Sequence, residues 1–221
     1  MKDINKPTTL QNNGLILQLT PPKYPINPGL LVMLHGWTGD ETSMNIFTRV
    51  IPGDRWILAP RGLIPTGEEG YGWIPHRPGW DATLEVFLEV VEHLRPAIAG
   101  WIQQLEIAPH PIDILGFSQG AALGLAYALK YPNELGRLAC ISGFLPYMNK
   151  PYNPPAQIRN TKFFIAHGIK DEIVGIDRAL EIDQYLKPFG VNPIFCQDNV
   201  GHRISASCFN KLGEFFRKKP L

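Results

Sequence analysis

Gly116-Phe117-Ser118-Gln119-Gly120 places a serine hydroxyl between two glycines, directly after an apolar run. A hydroxyl in that setting is either a turn residue or a nucleophile, and the chemistry a nucleophilic serine serves is acyl transfer. Ile112 to Phe117 reads as a buried strand and Gln119 to Lys130 as a helix packed by small apolar residues, so Ser118 falls on a strand–turn–helix joint. Such a joint is the nucleophile elbow, a strained turn that lifts the hydroxyl above a sheet and needs residues without bulk two positions to either side. Gly116 and Gly120 provide that clearance.

A serine hydroxyl needs a base to take its proton, and the base needs a carboxylate to hold its tautomer and stabilise the imidazolium. In an elbow of this kind the chain order is serine, acid, histidine. Of His35, His76, His93, His110, His167 and His202, only the last two follow Ser118. His167 ends an apolar strand, and Glu134, in a helix-to-strand turn, is the one acid between it and the serine, which leaves His202 as the expected base. For the acid, Asp171 stands three residues past the glycine that closes Lys162 to Gly168, in a loop that could reach a neighbouring strand end. Its competitors are the adjacent Glu172, the helical Asp177, Glu181 and Asp183, and Asp198 at a strand end.

A tetrahedral intermediate also needs donors for its oxyanion. The backbone N–H of Gln119 is expected to be one, and that of Trp37, in the turn after Leu30 to Gly36, the second. His35 reads as a structural residue of that turn. Two connections, Pro60 to Trp80 and Leu145 to Asn160, are long, aperiodic and rich in aromatic residues and proline, so they are expected to wall a pocket. Trp73 is the expected acyl-lining residue, with Trp80 competing for that place and a loop anchor as the other role open to Trp73.

These side chains must be positioned by alternating strands and helices. Strands are expected at Gly14–Thr20, Leu30–Gly36, Trp56–Pro60, Ile112–Phe117, Arg137–Phe144, Lys162–Gly168 and Pro193–Asp198, and helices at Asp81–Gln104, Gln119–Lys130, Ile176–Pro188 and Ile204–Lys218, with Pro96 kinking the first helix. The later strands are apolar throughout, which predicts a mostly parallel sheet covered on both faces, with its site at the carboxyl ends of the strands. The 221 residues suit one domain, 1–221. Twenty-one basic against 20 acidic side chains, without a basic patch beyond Arg217 to Lys219, speak against nucleic acid as a partner. The N-terminal residues lack the apolar core of a signal peptide and no stretch is long enough to span a bilayer, so a cytoplasmic protein without stable membrane anchoring is expected. Cys140, Cys196 and Cys208 are widely spaced within apolar runs and are read as reduced core thiols rather than a disulfide framework or a zinc site.

HGWTGD, GFSQGAA, HGIKDEIV and GHRIS, in that order, resemble the phospholipase/carboxylesterase group of the α/β-hydrolase superfamily, which is related to acyl-protein thioesterases. The resemblance implies an α/β-hydrolase fold with little or no lid, a Ser118–Asp171–His202 triad and an oxyanion hole from the amides of Trp37 and Gln119. It also implies hydrolysis of small-molecule esters or thioesters of short to medium acyl groups, through an acyl-serine intermediate, by a monomer or small homo-oligomer. No metal or organic cofactor is called for. HGWTGD departs from the HGLGD of thioesterases, and the Pro60 to Trp80 loop departs from their acyl-binding region. A ligand-binding protein on a hydrolase scaffold and an acyltransferase are the alternatives.

Overall fold

The structure is a computed structural model that describes residues 7–217 apart from 13, 25, 68–69, 76–81 and 108–110. Its centre is an eight-stranded sheet. In chain order the strands are β1 (Thr8–Asn12), β2 (Leu15–Thr20), β3 (Gly29–Leu34), β4 (Arg55–Pro60), β7 (Ile112–Phe117), β8 (Leu135–Ile141), β9 (Lys162–Gly168) and β10 (Ile194–Asp198), while β5 (Ile64–Pro65) and β6 (Tyr71–Gly72) form a separate small ribbon. The spatial order is β1-β2-β4-β3-β7-β8-β9-β10. β1 and β2 pair antiparallel at one edge, and every pairing from β4 across to β10 is parallel.

Side chains alternate between two apolar layers, as the pleat requires. Val32, Leu34, Ile114, Leu138 and Ile165 face a layer with α1 (Leu84–Gln104), α2 (Gln119–Lys130) and α3 (Ile176–Leu186), whereas Leu31, Met33, Leu115, Ala139 and Phe164 face α4 (Ala206–Arg217) and the 3₁₀ turn Ser43–Arg49. Helices therefore cover both faces, which is why the central strands tolerate no polar alternation. α2 is buried on every side from Gln119 to Leu129, and its Ala-rich sequence lets it approach the sheet closely. α1 runs from Leu84 to Gln104 with Pro96 inside it. Ser205 caps α4, its hydroxyl accepting the N–H of Cys208 at 3.1 Å.

The amino end of the sheet is tied by charge. Asp113 on β7 meets Arg55 at 2.8 Å and Arg137 at 3.3 Å, and both guanidinium groups also donate to the carbonyl of Phe216 on α4. Burial and pairing at that end leave the opposite, carboxyl edge free for chemistry.

The cysteines correct an expectation. Cys196 on β10 and Cys208 on α4 form a disulfide with Cα atoms 5.8 Å apart, because α4 folds back onto the strand that precedes it. Cys140 remains a free buried thiol, pushed up to about 12 by burial.

Candidate active site

Ser118 lies between β7 and α2 with φ +52° and ψ −118°, a conformation that costs a non-glycine residue of order 1–3 kcal/mol and is held by its surroundings. Its N–H donates to Ile141 on β8, and its carbonyl accepts the N–H groups of Ala121 and Ala122. The flanking glycines are obligatory. A Cβ on Gly116 would stand 2.3 Å from the carbonyl oxygen of Gly120, and one on Gly120 would stand 2.2 Å from that of Leu34.

Asp171 follows β9 in a turn closed by its own N–H to Gly168. Its Oδ1 accepts the N–H groups of Ile173 (3.0 Å) and Val174 (2.9 Å), and its Oδ2 accepts Nδ1 of His202 at 2.7 Å. Burial acts to raise this carboxyl, but the Val174 amide and the His202 imidazole outweigh it and hold Asp171 below the ordinary carboxylate range. Ionised Asp171 can only accept, so Nδ1 of His202 is the ring nitrogen that donates to it, which leaves Nε2 as the ring nitrogen turned away from the acid. The His202 ring packs on Phe117, the residue before the serine, with centroids 5.0 Å apart. The loops bearing the two groups interlock: Ile169 N–H donates to Asp198 and Lys170 N–H to Val200. Gly168 permits this approach, since a Cβ there would lie 2.2 Å from the Val200 carbonyl. His167 also reaches Asp171, at 3.4 Å, but its ring is fully buried and its Nε2–H donates to the Val174 carbonyl at 2.8 Å. It braces the acid loop and has no path to a substrate proton.

The turn after β3 brings a second backbone segment to the elbow. Gly39 N–H closes on Gly36, Thr38 adopts φ +66°, and a Cβ on Gly36 would sit 3.2 Å from that of Ser118. Trp37 is thus held beside the serine, while the Gln119 N–H heads α2, where the first amides have no acceptor within the helix. His35 is buried, donates from Nδ1 to Gly36 and accepts at Nε2 from the Gly62 N–H; burial lowers its pKa. As expected, it is a neutral structural residue.

Trp73 does not line the cleft. It is 1% exposed, its indole N–H donates to the His35 carbonyl at 2.7 Å, and its ring packs at a tilt against His35. The loop-anchor role is the one the geometry supports. Trp80 and His76 lie outside the described residues. Sequence reasoning missed the side chain of Gln119, whose Oε1 accepts the Trp73 N–H at 2.7 Å and whose Nε2 donates to the Ile74 carbonyl at 3.1 Å. One amide therefore ties the wall loop to the elbow. Above Ser118 opens a cleft of about 320 Å³, lined by Trp37, Ile74, Pro75, Ala82, Gln119, Phe144, Ile173, Val174, Gly175 and Arg178. Among the described residues no group of three or more His, Cys, Asp or Glu could hold a metal ion.

This arrangement can be set against known proteins. The probable carboxylesterase Os04g0669600 of Oryza sativa is 34% identical over 194 residues, covering 80% of this chain and 82% of that protein. Carboxylesterase SOBER1 of Arabidopsis thaliana is 31% identical over 134 residues, and acyl-protein thioesterase 1 of Aspergillus fumigatus is 31% identical over 119. The chain spans only 58% and 48% of those two proteins, and covers 60% and 51% of itself in doing so. A similar rice protein is named a probable inactive carboxylesterase. Among solved structures, a carboxylesterase from Mesorhizobium loti superposes with a TM-score of 0.83 at 19% identity, over 96% of this chain and 99% of that one. The L63A form of Arabidopsis SOBER1 gives 0.74 at 24%, over 86% and 98%. At these identities the superpositions speak for a shared fold, the α/β-hydrolase fold of carboxylesterases. Residues 27–219, which take in the Trp37 turn, the elbow and both loops after β9 and β10, match the family described as Phospholipase/Carboxylesterase, and the chain belongs to that family.

Proposed function

We propose that the protein is a serine carboxylesterase working through an acyl-Ser118 intermediate. The observation that carries the proposal is the Asp171–His202 pair, oriented by two backbone amides and packed against Phe117 at the strained Ser118 elbow. Nε2 of His202 takes the Ser118 proton as Oγ attacks the ester carbonyl, and Asp171 stabilises the imidazolium. The amides of Gln119 and Trp37 are proposed to receive the oxyanion. Collapse breaks the ester bond, His202 protonates the departing alcohol, and water repeats the sequence to release the acid. The cleft lies at the lower end of the range usual for small ligands, roughly 300–1,000 Å³, which favours short to medium acyl groups. Relatives named as carboxylesterases and as thioesterases support either an oxygen or a sulfur leaving group. No helix among the described residues is long and apolar enough to cross a membrane.

The test is turnover of p-nitrophenyl acetate through octanoate. The wild type should hydrolyse the shorter members with a pre-steady-state burst, and Ser118→Ala should fall by about 10⁴ or more while remaining folded. A folded wild type that binds such esters without turnover would indicate a binding protein on this scaffold. Suppression of hydrolysis by an added alcohol, with transfer to it, would indicate an acyltransferase.

A further inference from the structure

The cleft above Ser118 is apolar except in one place. Trp37, Ile74, Pro75, Phe144, Ile173 and Val174 supply hydrocarbon and aromatic surface, while the Gln119 amide is already committed to Trp73 and Ile74. Arg178, on the first turn of α3, is the one charged lining residue among those described. Its side chain is 32% exposed, so the guanidinium is partly withdrawn from water. An apolar wall would be cheaper to build with a leucine or phenylalanine, and a cation there is costly unless something compensates it.

Its compensation within the protein is incomplete. A guanidinium carries five N–H donors. Nη2 uses one on the Leu145 carbonyl at 2.8 Å, whereas Nε is ion-paired with Oε2 of Glu181 at 2.9 Å but makes no hydrogen bond to it. Glu181 is about half exposed, so solvent screens its charge and the pair neutralises Arg178 only in part. The face of Phe144, 5.8 Å from the guanidinium carbon, adds a weak cation–π contact. Both hydrogens of Nη1 have no acceptor among the described residues. A planar cation with spare donors at the edge of an apolar cleft suits a carboxylate, which it can take in a fork geometry.

We propose that Arg178 forms an anion subsite and that the preferred substrates are esters bearing a carboxylate a few atoms from the scissile bond. The proposal rests on the esterase function proposed above and specifies its substrate class. Arg178 acts there as a specificity residue, holding the far end of the substrate while Ser118 attacks the near end.

The experiment compares kcat/KM for charged and neutral esters of matched length, followed by pH-stat titration of released acid. One series places the carboxylate on the acyl half: monoethyl succinate, glutarate and adipate against ethyl esters of the corresponding straight-chain acids. The other places it on the alcohol half: butyryl esters of glycolate and 3-hydroxypropionate against alkyl butyrates. The quantity read is the charged-to-neutral ratio within a series. A charge-assisted contact should raise that ratio to about 10–100 in at least one series, falling as salt rises from 0.05 to 0.5 M. Arg178→Gln should bring it down about tenfold or more, and Arg178→Lys should restore part of it. If Arg178 is merely a strut for the Leu145 loop, Arg178→Gln lowers both members of each pair together and leaves the ratio unchanged, which would overturn the proposal. So would a wild-type ratio of one or less in both series. Wild-type turnover of neutral esters without such a preference would defeat the anion subsite alone, whereas no turnover of any ester would defeat the esterase function as well.

Discussion

Replacing Asp171 by asparagine changes one atom in three hydrogen bonds, which makes its consequences calculable. The Asn Oδ1 can still accept the Ile173 and Val174 amides at about 3 Å. The new NH₂ group then faces Nδ1 of His202, where the carboxylate oxygen now sits at 2.7 Å. An NH₂ group donates, so Nδ1 must become the acceptor and the ring proton moves to Nε2, the atom that should take the Ser118 proton. Turnover should fall roughly 10³–10⁴-fold, or about 4–5.5 kcal/mol of barrier. The fold should hardly notice, since a charge-assisted bond becomes a neutral one, at a cost of about 1 kcal/mol. Asp171→Ala differs: two amides lose their acceptor, and stability drops by about 1–3 kcal/mol for each that stays dry. Glu172→Gln, at an exposed neighbour, should alter kcat less than about tenfold. The assay is steady-state hydrolysis of p-nitrophenyl acetate alongside thermal melts of all four proteins. A folded Asp171→Asn enzyme within tenfold of wild type would refute the tautomer argument, and a larger loss in Glu172→Gln would move the acid to that position.

Trp73→Ala should destabilise by about 3–5 kcal/mol and reduce kcat/KM in parallel for every acyl length, because the indole is a buried anchor; a changed slope of rate against chain length would put Trp73 in the pocket. Cys196→Ser should lower stability by about 3 kcal/mol, the chain-entropy value for a loop of this size, with the melt under reductant converging on it; equal melting temperatures would mean the bond contributes nothing in solution. Asp113→Asn should cost about 3 kcal/mol by removing the buried carboxylate that Arg55 and Arg137 share, with Arg55 keeping the more exposed Asp54, measured by urea unfolding. Asp171 has a folded pKa below its unfolded value, so its contribution to stability is present above the unfolded pKa near 4 and is lost as pH falls through the lower folded one. Wild type should therefore lose more stability than Asp171→Asn between pH 5 and 2, and identical acid transitions would contradict this.

The central sheet could be read from sequence because parallel strands covered on both faces leave long apolar runs. Leu30 to Leu34 and Ile112 to Leu115 are buried throughout. β1 escaped notice for the opposite reason: as an edge strand with Thr8, Thr9 and Gln11 it presents no apolar run, and the Asn13-Gly14 pair before Leu15 was the available hairpin signal. Ser118, Asp171 and His202, the triad expected from sequence, each sit past the end of a strand, and the strand order β7-β8-β9-β10 delivers all three loops to the same edge. What lay hidden depends on contacts across distant segments. Whether Trp73 faces a ligand or the protein body is decided by Gln119 and His35, 46 and 38 positions away. The Cys196–Cys208 bond depends on how α4 packs back onto β10, and no spacing rule encodes that. Arg178 falls within the helix expected at Ile176–Pro188, and its place at the cleft depends on contacts with the distant Leu145 segment.

The central claim is that Ser118 is a nucleophile activated by His202, and covalent trapping tests it most directly. The folded protein is incubated with a fluorophosphonate, digested, and the modified peptide identified by mass spectrometry, with Ser118→Ala and His202→Gln treated in parallel. One equivalent of label on the peptide bearing Ser118, absent in Ser118→Ala and slowed by orders of magnitude in His202→Gln, is the predicted result. No labelling of the wild type, or label that persists undiminished in folded Ser118→Ala, would contradict the account.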